Sequence, residues 1–441
     1  ASAAGPVAGS TKSARRRPIN ENVGEVNLAF THDFSAHAGH LGIHGRVDNA
    51  GSFLKIASAF GSTVNHGWDL TGPARADLRR EWAAGSPSVW NGAAEVNDAE
   101  LAAAGLNQPV QLQHARLEWR NGKRTAHIAQ AQGFGANWSG EIVEDAANTA
   151  MDAAPDEAPK WNVQLHADRL DAAELDRWVG PRARPGWLQR LLPSLLGVAA
   201  AQTGPASELV RRLNVSGDVQ VDEFSIEKIS LQQLHLHGNL QDLRLQISDG
   251  RAQWAGGYIR ATMLARFLPR PVYDIRAELD GVNLSQLPVD PAASARLGGV
   301  ASSTLHLKTA GVGRDELLQK LAGTGRVHLT NLEFRGWDLN ASVADGEAHP
   351  GNSRWPSGDG DFTVLDRSVI LEDVRLDGGS QTTLMNGTVS FARDANLSVE
   401  STTARRAVRN SVASGHVLKI VGPLDGPRIS REKSKSRQPA D

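Results

Sequence analysis

Cysteine is absent from the 441-residue sequence, which excludes disulfides, thiolate metal sites and cysteine nucleophiles. Aromatic residues make up only 5% of the chain, too few to suggest a stacking platform for sugars. No stretch reaches the roughly 18 consecutive apolar residues that a membrane-spanning helix requires. The charge is nearly balanced, with 47 basic and 49 acidic residues, so no overall field attracts nucleic acid. We therefore expect no nucleic-acid partner.

Catalytic signatures are also missing. The sequence has no G-x-S-x-G nucleophile elbow, and no glycine-rich loop opens a helix directly after a strand. Carboxylates occur mostly singly and alternate with basic residues, as on solvated strand faces. Four histidines lie close together, but their spacing fits no zinc motif: His32, His37, His40 and His44. We predict that the protein is not an enzyme and that it has neither a metal nor a cofactor.

Glycine, proline and alternation dominate what is present. The chain has 44 Gly and 20 Pro beside 40% hydrophobic residues, a balance typical of many short strands joined by turns. From 211 to 287, apolar and polar residues alternate with period 2, which gives each strand one apolar and one polar face. The apolar positions that matter below are Val219, Val221, Leu243, Leu245, Ile247, Ile259, Ala261, Tyr273, Ile275 and Leu279.

Turn residues interrupt this alternation. We predict turns at Asn239, at Asp249-Gly250, at Gly256-Gly257 and at residues 269–271. Alternating strands joined by such turns indicate an antiparallel meander with one apolar and one polar side.

The same unit occurs upstream, at a period of roughly 110–130 residues. Residues 110–117 match 229–236, and both copies slip in phase at the same place, which predicts a β-bulge in each. Trp138 is matched to Trp254, and residues 161–167 are matched to 273–279. A partial third copy begins at Gly325. The pattern predicts a repeated β-sheet module.

These repeats suggest a division of the chain. We predict a tail or linker at 1–24, a first β-module region with short helices at 25–200, a second module at 201–300, a third at 301–429 and a basic tail at 430–441. The predicted short helices are 52–60 with Ser52 as N-cap, 98–105, 171–177, 186–201, 205–213 and 314–322.

Three segments resemble, in this order, the C-terminal region of AsmA-like proteins: DGRAQWAGGYIRATMLARFLPRPVYDIRAELDGVNLSQL, DELLQKLAGTGRVHLTNLEFRGWDL and LKIVGPLDGPRIS. That family is related to TamB and to the bridge-like lipid-transfer proteins. The resemblance extends from about Val26 to Ile429 and depends on glycines and alternation rather than on a catalytic signature.

The resemblance implies a mostly β fold, an elongated and curved antiparallel sheet of repeated modules with an apolar groove and a few short helices. It also implies that the apolar face binds or conducts phospholipid between the inner and outer membranes and so supports outer-membrane biogenesis. We therefore expect a periplasmic protein of the bacterial envelope. It would be tethered to the inner membrane through an anchor upstream of residue 1.

The residues point to a groove independently of the resemblance. A continuous apolar face must be covered, and the predicted helices are too few and too short to cover it. We expect the ten apolar residues named above to line a lipid groove. One alternative is a scaffold or assembly factor whose sheet edges pair with other envelope proteins. Another is a glycan-binding or hydrolytic β-protein, although no carboxylate pair supports it.

Overall fold

The computed structural model describes residues 25–35, 37–53, 55, 68–84, 86–103, 106–121, 123–144, 160–179, 213–267, 270–288, 296–311, 314–345, 347, 349–379, 381–403, 417–423 and 428–432. The chain divides into two compact units, which we call unit 1 (Ala1–Val219) and unit 2 (Gln220–Asp441). The predicted tail at 1–24 and the predicted helix at 186–201 lie outside the described residues, as do nearly all of the predicted helix at 205–213 and nearly all of the tail at 430–441.

The described part of unit 1 contains strands, one helix and a short helical turn that starts at Gly51. The strands are β1 (Val26–Asp33), β2 (Ala38–Val47), β3 (Trp68–Thr71), β4 (Ala74–Ala83), β5 (Ser86–Ala103), β6 (Val110–Arg120), β7 (Lys123–Gly133), β8 (Ala136–Glu144) and β9 (Lys160–Asp171), followed by helix α1 (Ala172–Val179). Strand β10 (Asn214–Ile226) begins in unit 1 and ends in unit 2.

Unit 2 continues in the same manner. Its strands are β11 (Ile229–Gln241), β12 (Arg244–Trp254), β13 (Gly257–Arg266), β14 (Val272–Asn283), β15 (Leu297–Ala310), β16 (Ala322–Arg335), β17 (Asn352–Leu365), β18 (Ser368–Asp377), β19 (Gln381–Ser390), β20 (Asp394–Thr403), β21 (Val417–Pro423) and β22 (Arg428–Glu432). Between strands lie a 3₁₀ turn (Leu284–Gln286), helix α2 (Arg314–Gln319) and helix α3 (Leu339–Asp345).

The pairing within each unit is antiparallel. From β11 to β22 every strand pairs with the next strand in the chain. Unit 1 follows the same rule except that β2 pairs with β4 and β3 pairs with β5. Strands account for 77% of the described residues, and the helices are few and short. The predicted fold class, a mostly β protein built on an antiparallel sheet, is confirmed.

Both predicted β-bulges are present. The register of β6 against β7 shifts on either side of His114, and the register of β11 against β12 shifts between Gln232 and His235. In β11, Gln233 has a φ of 52°, the left-handed conformation that inserts an extra residue into the strand. The phase slip in the sequence therefore identified the bulges correctly.

Two of the predicted turns are wrong. Asn239 lies inside β11, and Asp249-Gly250 lies inside β12, where the register shifts between Ile247 and Gly250. The actual hairpin turn between these strands is Asp242-Leu243, whose φ values are 50° and 59°. Two successive residues with positive φ form a tight turn whose twist suits a two-residue hairpin. Neither residue is a glycine, so the sequence carries no clear signal for this turn.

The strand pairings align the two copies, although two of the residue matches are wrong. Leu117 lies opposite Ala126 and so corresponds to Gly238, which lies opposite Ile247, rather than to Leu236. Ala131 of β7 lies opposite Trp138 of β8, and 121 residues later Ala252 of β12 lies opposite Ile259 of β13. Trp138 therefore corresponds to Ile259 rather than to Trp254, which ends β12. Trp138 and Trp254 share a residue type but occupy different places in the pairing. The match of 161–167 to 273–279 holds, since Ile142 and Val163 pair as Met263 and Ile275 do.

In both repeats a capped helical turn follows the fourth strand, which is β9 in the first repeat and β14 in the second. Asp171 Oδ1 accepts a hydrogen bond from Ala173 N at 2.7 Å and caps α1. Asn283, 112 residues later, accepts one from Ser285 N at 3.0 Å and caps the 3₁₀ turn. A short side-chain acceptor satisfies a free N–H at the start of a helix, so both strands stop at the same place. The predicted helix after β9 is confirmed.

Two other predicted helices differ from the structure. Residues 98–103, predicted as part of a helix, belong to β5, where Leu101 pairs with Leu70 of β3 and with Val110 of β6. Pairing on both sides outweighs the weak local preference of an alanine-rich segment. The short helical turn that starts at Gly51 is capped by Asn49 rather than Ser52, because Asn49 Oδ1 accepts from Gly51 N at 2.9 Å.

Each unit has its own apolar cluster. In unit 1 it joins β2 and β4 with the turn of helix at 50–53, and it is centred on Leu41, Ile43 and Val47, all exposed by no more than 1%. In unit 2 it joins α3 with β17, β18, β20 and β21, and Val399 and Leu418 are its most buried residues. Alternation puts one apolar face on each strand, and these clusters bury part of that face.

Candidate functional site

Strands β12 to β15 share one apolar face, which we call the apolar face of unit 2. Residues directly opposite each other in an antiparallel pair lie on the same face. Three rows of side chains cross these strands: Leu245, Ala265, Tyr273 and Thr309; Ile247, Met263, Ile275 and Leu307; and Ala252, Ile259, Leu279 and Ser303. The rows span three interstrand spacings, about 15 Å.

Seven of the ten predicted groove residues lie on this face. They are Leu245, Ile247, Ile259, Ala261, Tyr273, Ile275 and Leu279. Their side chains are half-buried. The structure thus brings together residues that the sequence places on three separate strands.

The remaining three lie elsewhere. Leu243 belongs to the β11–β12 turn and is 6% exposed, so it is not part of a strand as predicted. The positive φ of this residue ends the alternation one position before β12 begins. Val219 and Val221 lie on β10, and Val221 is only 2% exposed. Buried as they are, Leu243 and Val221 offer no surface to a ligand.

Helix α3 closes the face farther along unit 2. Its Leu339 and Val343 pack against Trp355 of β17, Val399 of β20 and Leu418 of β21. Two buried serines hold the helix: Ser353 Oγ accepts from Leu339 N at 2.7 Å, and Ser342 Oγ accepts from Trp337 Nε1 at 2.8 Å. The same apolar face is therefore sealed over β17–β21 and half-open over β12–β15.

Helix α2 marks one end of the half-open region. Thr309, in the outermost row of the face, donates its hydroxyl hydrogen to the Leu317 carbonyl at 2.6 Å. Tyr273, in the same row, is partly buried, and that burial raises the pKa of its hydroxyl. The row that ends the face therefore carries two hydroxyl groups, whereas the next row inward, from Ile247 to Leu307, is wholly apolar.

Charged side chains occupy the opposite face, which we call the polar face of unit 2. Arg326 donates two hydrogen bonds to Asp361, at 2.7 and 3.1 Å. Asp274 contacts His306 Nε2 at 2.9 Å, and Asp359 contacts His328 Nδ1 at 2.7 Å. Such exposed pairs each contribute little to stability, but they keep the strands soluble on this side.

A hollow of about 950 Å³ lies on the polar face. Its side chains come from rows of that face, including Arg260, Glu278, Arg276, His306, Arg326 and Asp361. A second hollow, of about 600 Å³, lies on the polar face of unit 1 and includes Arg75, Glu95 and Arg116. Paired charges line both hollows, so they suit a polar occupant rather than a hydrocarbon chain.

The ion pairs of the polar face shift carboxyl pKa values downward. Hydrogen bonds from Arg326 lower the pKa of Asp361, and a hydrogen bond from His306 lowers the pKa of Asp274. Hydrogen bonds from Arg354 and Arg335 likewise lower the pKa of Glu333. In each case the charged carboxylate is favoured because it accepts bonds from a cationic donor.

Acid is expected to destabilise the folded state through these carboxylates. A carboxyl whose pKa is lowered on folding stabilises the protein above its unfolded pKa, and that stabilisation is lost as pH falls through its folded pKa. The pH range in which Asp361 loses its stabilising effect therefore begins near its ordinary pKa of 3.8 and extends below that value. We expect the free energy of unfolding, measured by urea denaturation, to fall less from pH 7 to pH 2.5 in Asp361→Asn than in the wild type. An equal fall in both proteins would contradict a lowered pKa for Asp361. The control is Asp366→Asn, which also removes an exposed carboxyl group.

The histidines near the N-terminus do not converge. His40 contacts Thr31 Oγ1 at 2.7 Å, and His44 lies 3.7 Å from Asp77. His32 stacks with Phe30 and Trp82. Within the described ranges, no three or more histidine or carboxylate side chains are grouped so that they could hold a metal ion. In the same ranges, no helix combines the length and the apolar character required to cross a bilayer.

Comparison with protein-family models, with curated proteins and with solved structures found no match for this chain. The assignment of function therefore depends on the chemistry of the two faces.

Proposed function

We propose that the protein binds phospholipid and holds its acyl chains against the apolar face of unit 2 over β12–β15. The observation that carries this proposal is the contrast along one face. Apart from the buried Ala252, the side chains of the rows through Ile247 and Ile259 are half-buried, whereas α3 covers the continuation of this face on β17–β21 so that Val399 and Leu418 are at most 1% exposed. A half-open row of aliphatic side chains retains unfavourable contact with water, which a bound chain would relieve.

The energy involved is large enough to matter. Each methylene that leaves water for an apolar surface gains about 0.8 kcal/mol. A face about 15 Å wide accommodates a substantial part of an acyl chain laid across the strands. Apart from the hydroxyl-bearing Tyr273, Ser303 and Thr309, the side chains of this face are alkyl groups together with Met263, and those groups form no directional bonds. Such a surface favours hydrocarbon chains without selecting a particular chain length.

No step of this activity needs a reacting group. A binding face lowers the free-energy cost of holding acyl chains in water, and it does so by burial alone. We therefore propose a non-enzymatic lipid carrier. The similarity to AsmA-like proteins supports a role in conducting phospholipid between the membranes of a bacterial envelope, in the periplasm and with an inner-membrane tether.

A second candidate, a scaffold that pairs with an envelope protein, is favoured by the outermost strand of unit 1. Among the described strands, β1 pairs only with β2. Its Leu28 and Phe30 are 38% and 48% exposed, an unusual state for large apolar residues on a strand edge. A strand added to β1 would bury both residues and satisfy the free backbone groups of the edge.

Lipid extraction separates the two candidates. The full chain, purified in mild detergent, is expected to release phospholipid into organic solvent, detected by mass spectrometry. A photocrosslinking residue placed at Ile259 should capture that lipid, whereas one placed at Arg260, on the polar face, should not. Absence of lipid together with no crosslink at Ile259 would reject the carrier and favour the scaffold.

A further inference from the structure

A partly buried ion pair in unit 1, Arg124–Glu144, occupies the position that apolar residues occupy in unit 2. The repeat that equates Ala131 and Trp138 with Ala252 and Ile259 also equates Arg124 with Leu245 and Glu144 with Ala265. The next strand, at its own offset, equates Trp161 with Tyr273. The outermost apolar row of unit 2 is therefore replaced in unit 1 by an arginine, a glutamate and a tryptophan.

The pair has close geometry and little exposure. Arg124 Nε donates to Glu144 Oε2 at 2.6 Å, and Nη2 donates to Oε1 at 2.5 Å. The Glu144 side chain is 7% exposed and that of Arg124 is 26% exposed. The guanidinium lies 5.1 Å from the centre of the Trp161 ring, a cation–π contact.

The fold does not require these charges. In unit 2 the equivalent strands pair in the same register with Leu245 and Ala265 in place of the ion pair. Removing two charges from water is costly, and apolar replacements for a buried ion pair are often neutral or stabilising. A charged pair on an otherwise apolar face therefore has an energetic cost that the repeat shows to be avoidable.

The pair also lies at the edge of an apolar surface. The adjoining row, one step toward the strand centres, consists of Leu117, Ala126, Ile142 and Val163. Arg124 is the second residue of β7, and Glu144 is the last residue of β8. Polar groups at the strand ends beside an apolar row are the arrangement that an amphipathic ligand would match.

One donor group of the arginine remains available. The two bonds to Glu144 use Nε and Nη2, and Nη1 makes no bond to any residue that the structure describes. A guanidinium can donate in two directions at once because its five N–H groups lie in a fixed plane. Nη1 is therefore free to donate to an oxyanion without breaking the ion pair.

We propose that Arg124, Glu144 and Trp161 bind the headgroup of a zwitterionic phospholipid, whose acyl chains lie on the adjoining row of unit 1. The phosphate accepts from Arg124 Nη1. Glu144 makes the site neutral overall, so a headgroup that also carries an ammonium is favoured over a purely anionic one. The proposal rests on the proposed function, because it assumes that the apolar faces hold acyl chains.

The test replaces the ion pair of the first repeat with the residues that the second repeat has at the same positions. The double variant Arg124→Leu with Glu144→Ala carries the residues that unit 2 has at these positions. Full-length proteins are incubated with vesicles that contain phosphatidylethanolamine, phosphatidylglycerol and diacylglycerol with the same chains, and the captured lipids are quantified by mass spectrometry. The wild type is expected to prefer phosphatidylethanolamine over diacylglycerol by about tenfold, the value of one charge-assisted hydrogen bond. In the double variant the preference should disappear, because phosphatidylethanolamine and diacylglycerol then meet the same apolar residues.

Two further variants make the result specific. Arg116→Leu with Glu95→Ala removes an ion pair of 2.7 Å on the polar face of the same unit and should leave the preference unchanged. Arg124→Lys keeps the positive charge but loses the planar guanidinium that donates in two directions. Its preference for phosphatidylethanolamine should therefore fall, while circular dichroism should show that it remains folded. It also keeps the test valid if the double variant does not fold.

The outcomes separate this proposal from the proposed function. An unchanged headgroup preference in the double variant and in Arg124→Lys would overturn the site. Equal capture of phosphatidylglycerol and phosphatidylethanolamine would overturn the zwitterion assignment, and displacement of lipid by millimolar inorganic phosphate would show that a free anion suffices. Failure of the wild type to capture any of the three lipids would instead reject lipid binding itself.

Discussion

Ile275→Asp is expected to leave unit 2 folded and to abolish lipid capture. Ile275 lies in the central row of the half-open face, between Met263 and Leu307. A carboxylate there can remain hydrated because the side chain is only half-buried, so the cost to folding is modest. The affinity for lipid should fall much more, because a bound acyl chain would have to lie against the charged carboxylate. Lipid content after extraction, measured beside the urea denaturation midpoint, checks both parts.

The adjacent residue provides the matched control. Arg276 follows Ile275 on β14 and lies on the polar face, so Arg276→Asp changes charge without touching the apolar rows. Leu245→Asp and Arg244→Asp repeat the comparison on β12. Unfolding of Ile275→Asp and Leu245→Asp, with normal lipid content in the protein that remains folded, would mean that this face is a sealed core and would reject the half-open face.

Val399→Asp is expected to have the opposite result and to unfold unit 2. Val399 is 0% exposed and packs in the cluster that α3 covers. A carboxylate without a partner at such a site costs several kcal/mol, a large part of the roughly 5–15 kcal/mol that stabilises a typical domain. Loss of the cooperative urea transition, or a strongly lowered midpoint, would record this effect.

Ser398→Asp is the control for this substitution. Ser398 is the preceding residue, is exposed on the other side of β20 and lies opposite Lys419 of β21. A carboxylate there gains an oppositely charged neighbour, so the free energy of unfolding should change by no more than about 0.5 kcal/mol. A Val399→Asp protein as stable as Ser398→Asp would contradict the sealed cluster under α3.

Alternation predicted the strands because it records burial directly. Ala74, Ala76 and Leu78 of β4 alternate with charged residues in the sequence and are all at most 5% exposed in the structure. The bulge near Gln233 was predictable for the same reason, since an extra residue must shift the phase of every apolar position after it.

Turns and helices were predicted less well because their signals are short. Asp242-Leu243 forms a tight turn without a glycine, and its conformation depends on the pairing of Gln241 with Arg244. Helix α3 is only seven residues long. It depends on Ser353 and on the cluster beneath it, which no local pattern reveals. A glycine predicted as a turn can equally well lie inside a strand, as Gly250 does in β12 beside a shift of register.

The shared face of seven predicted residues could be read from the sequence, whereas the Arg124–Glu144 pair could not. Each of the seven follows from the alternation on its own strand. The ion pair joins two strands, and both of its members interrupt an apolar pattern, so the sequence alone suggests two unrelated surface charges. Only the register that sets Arg124 opposite Glu144 identifies them as partners, through the same pairing scheme that aligns Thr125 with Val143.

The chain-order pairing of β11 to β22 makes unit 2 comparable to a one-dimensional array. Each of these strands makes its ladder only with sequence neighbours, so the free energy of the sheet approximates a sum of nearest-neighbour interfaces. Loops between most neighbours are short, which keeps the entropic cost of each added strand low and lets folding spread from one hairpin to the next. A sheet of this kind can be lengthened or shortened by whole hairpins, each changing its width by about 10 Å, while the alternation of the remaining strands still separates hydrocarbon from charge.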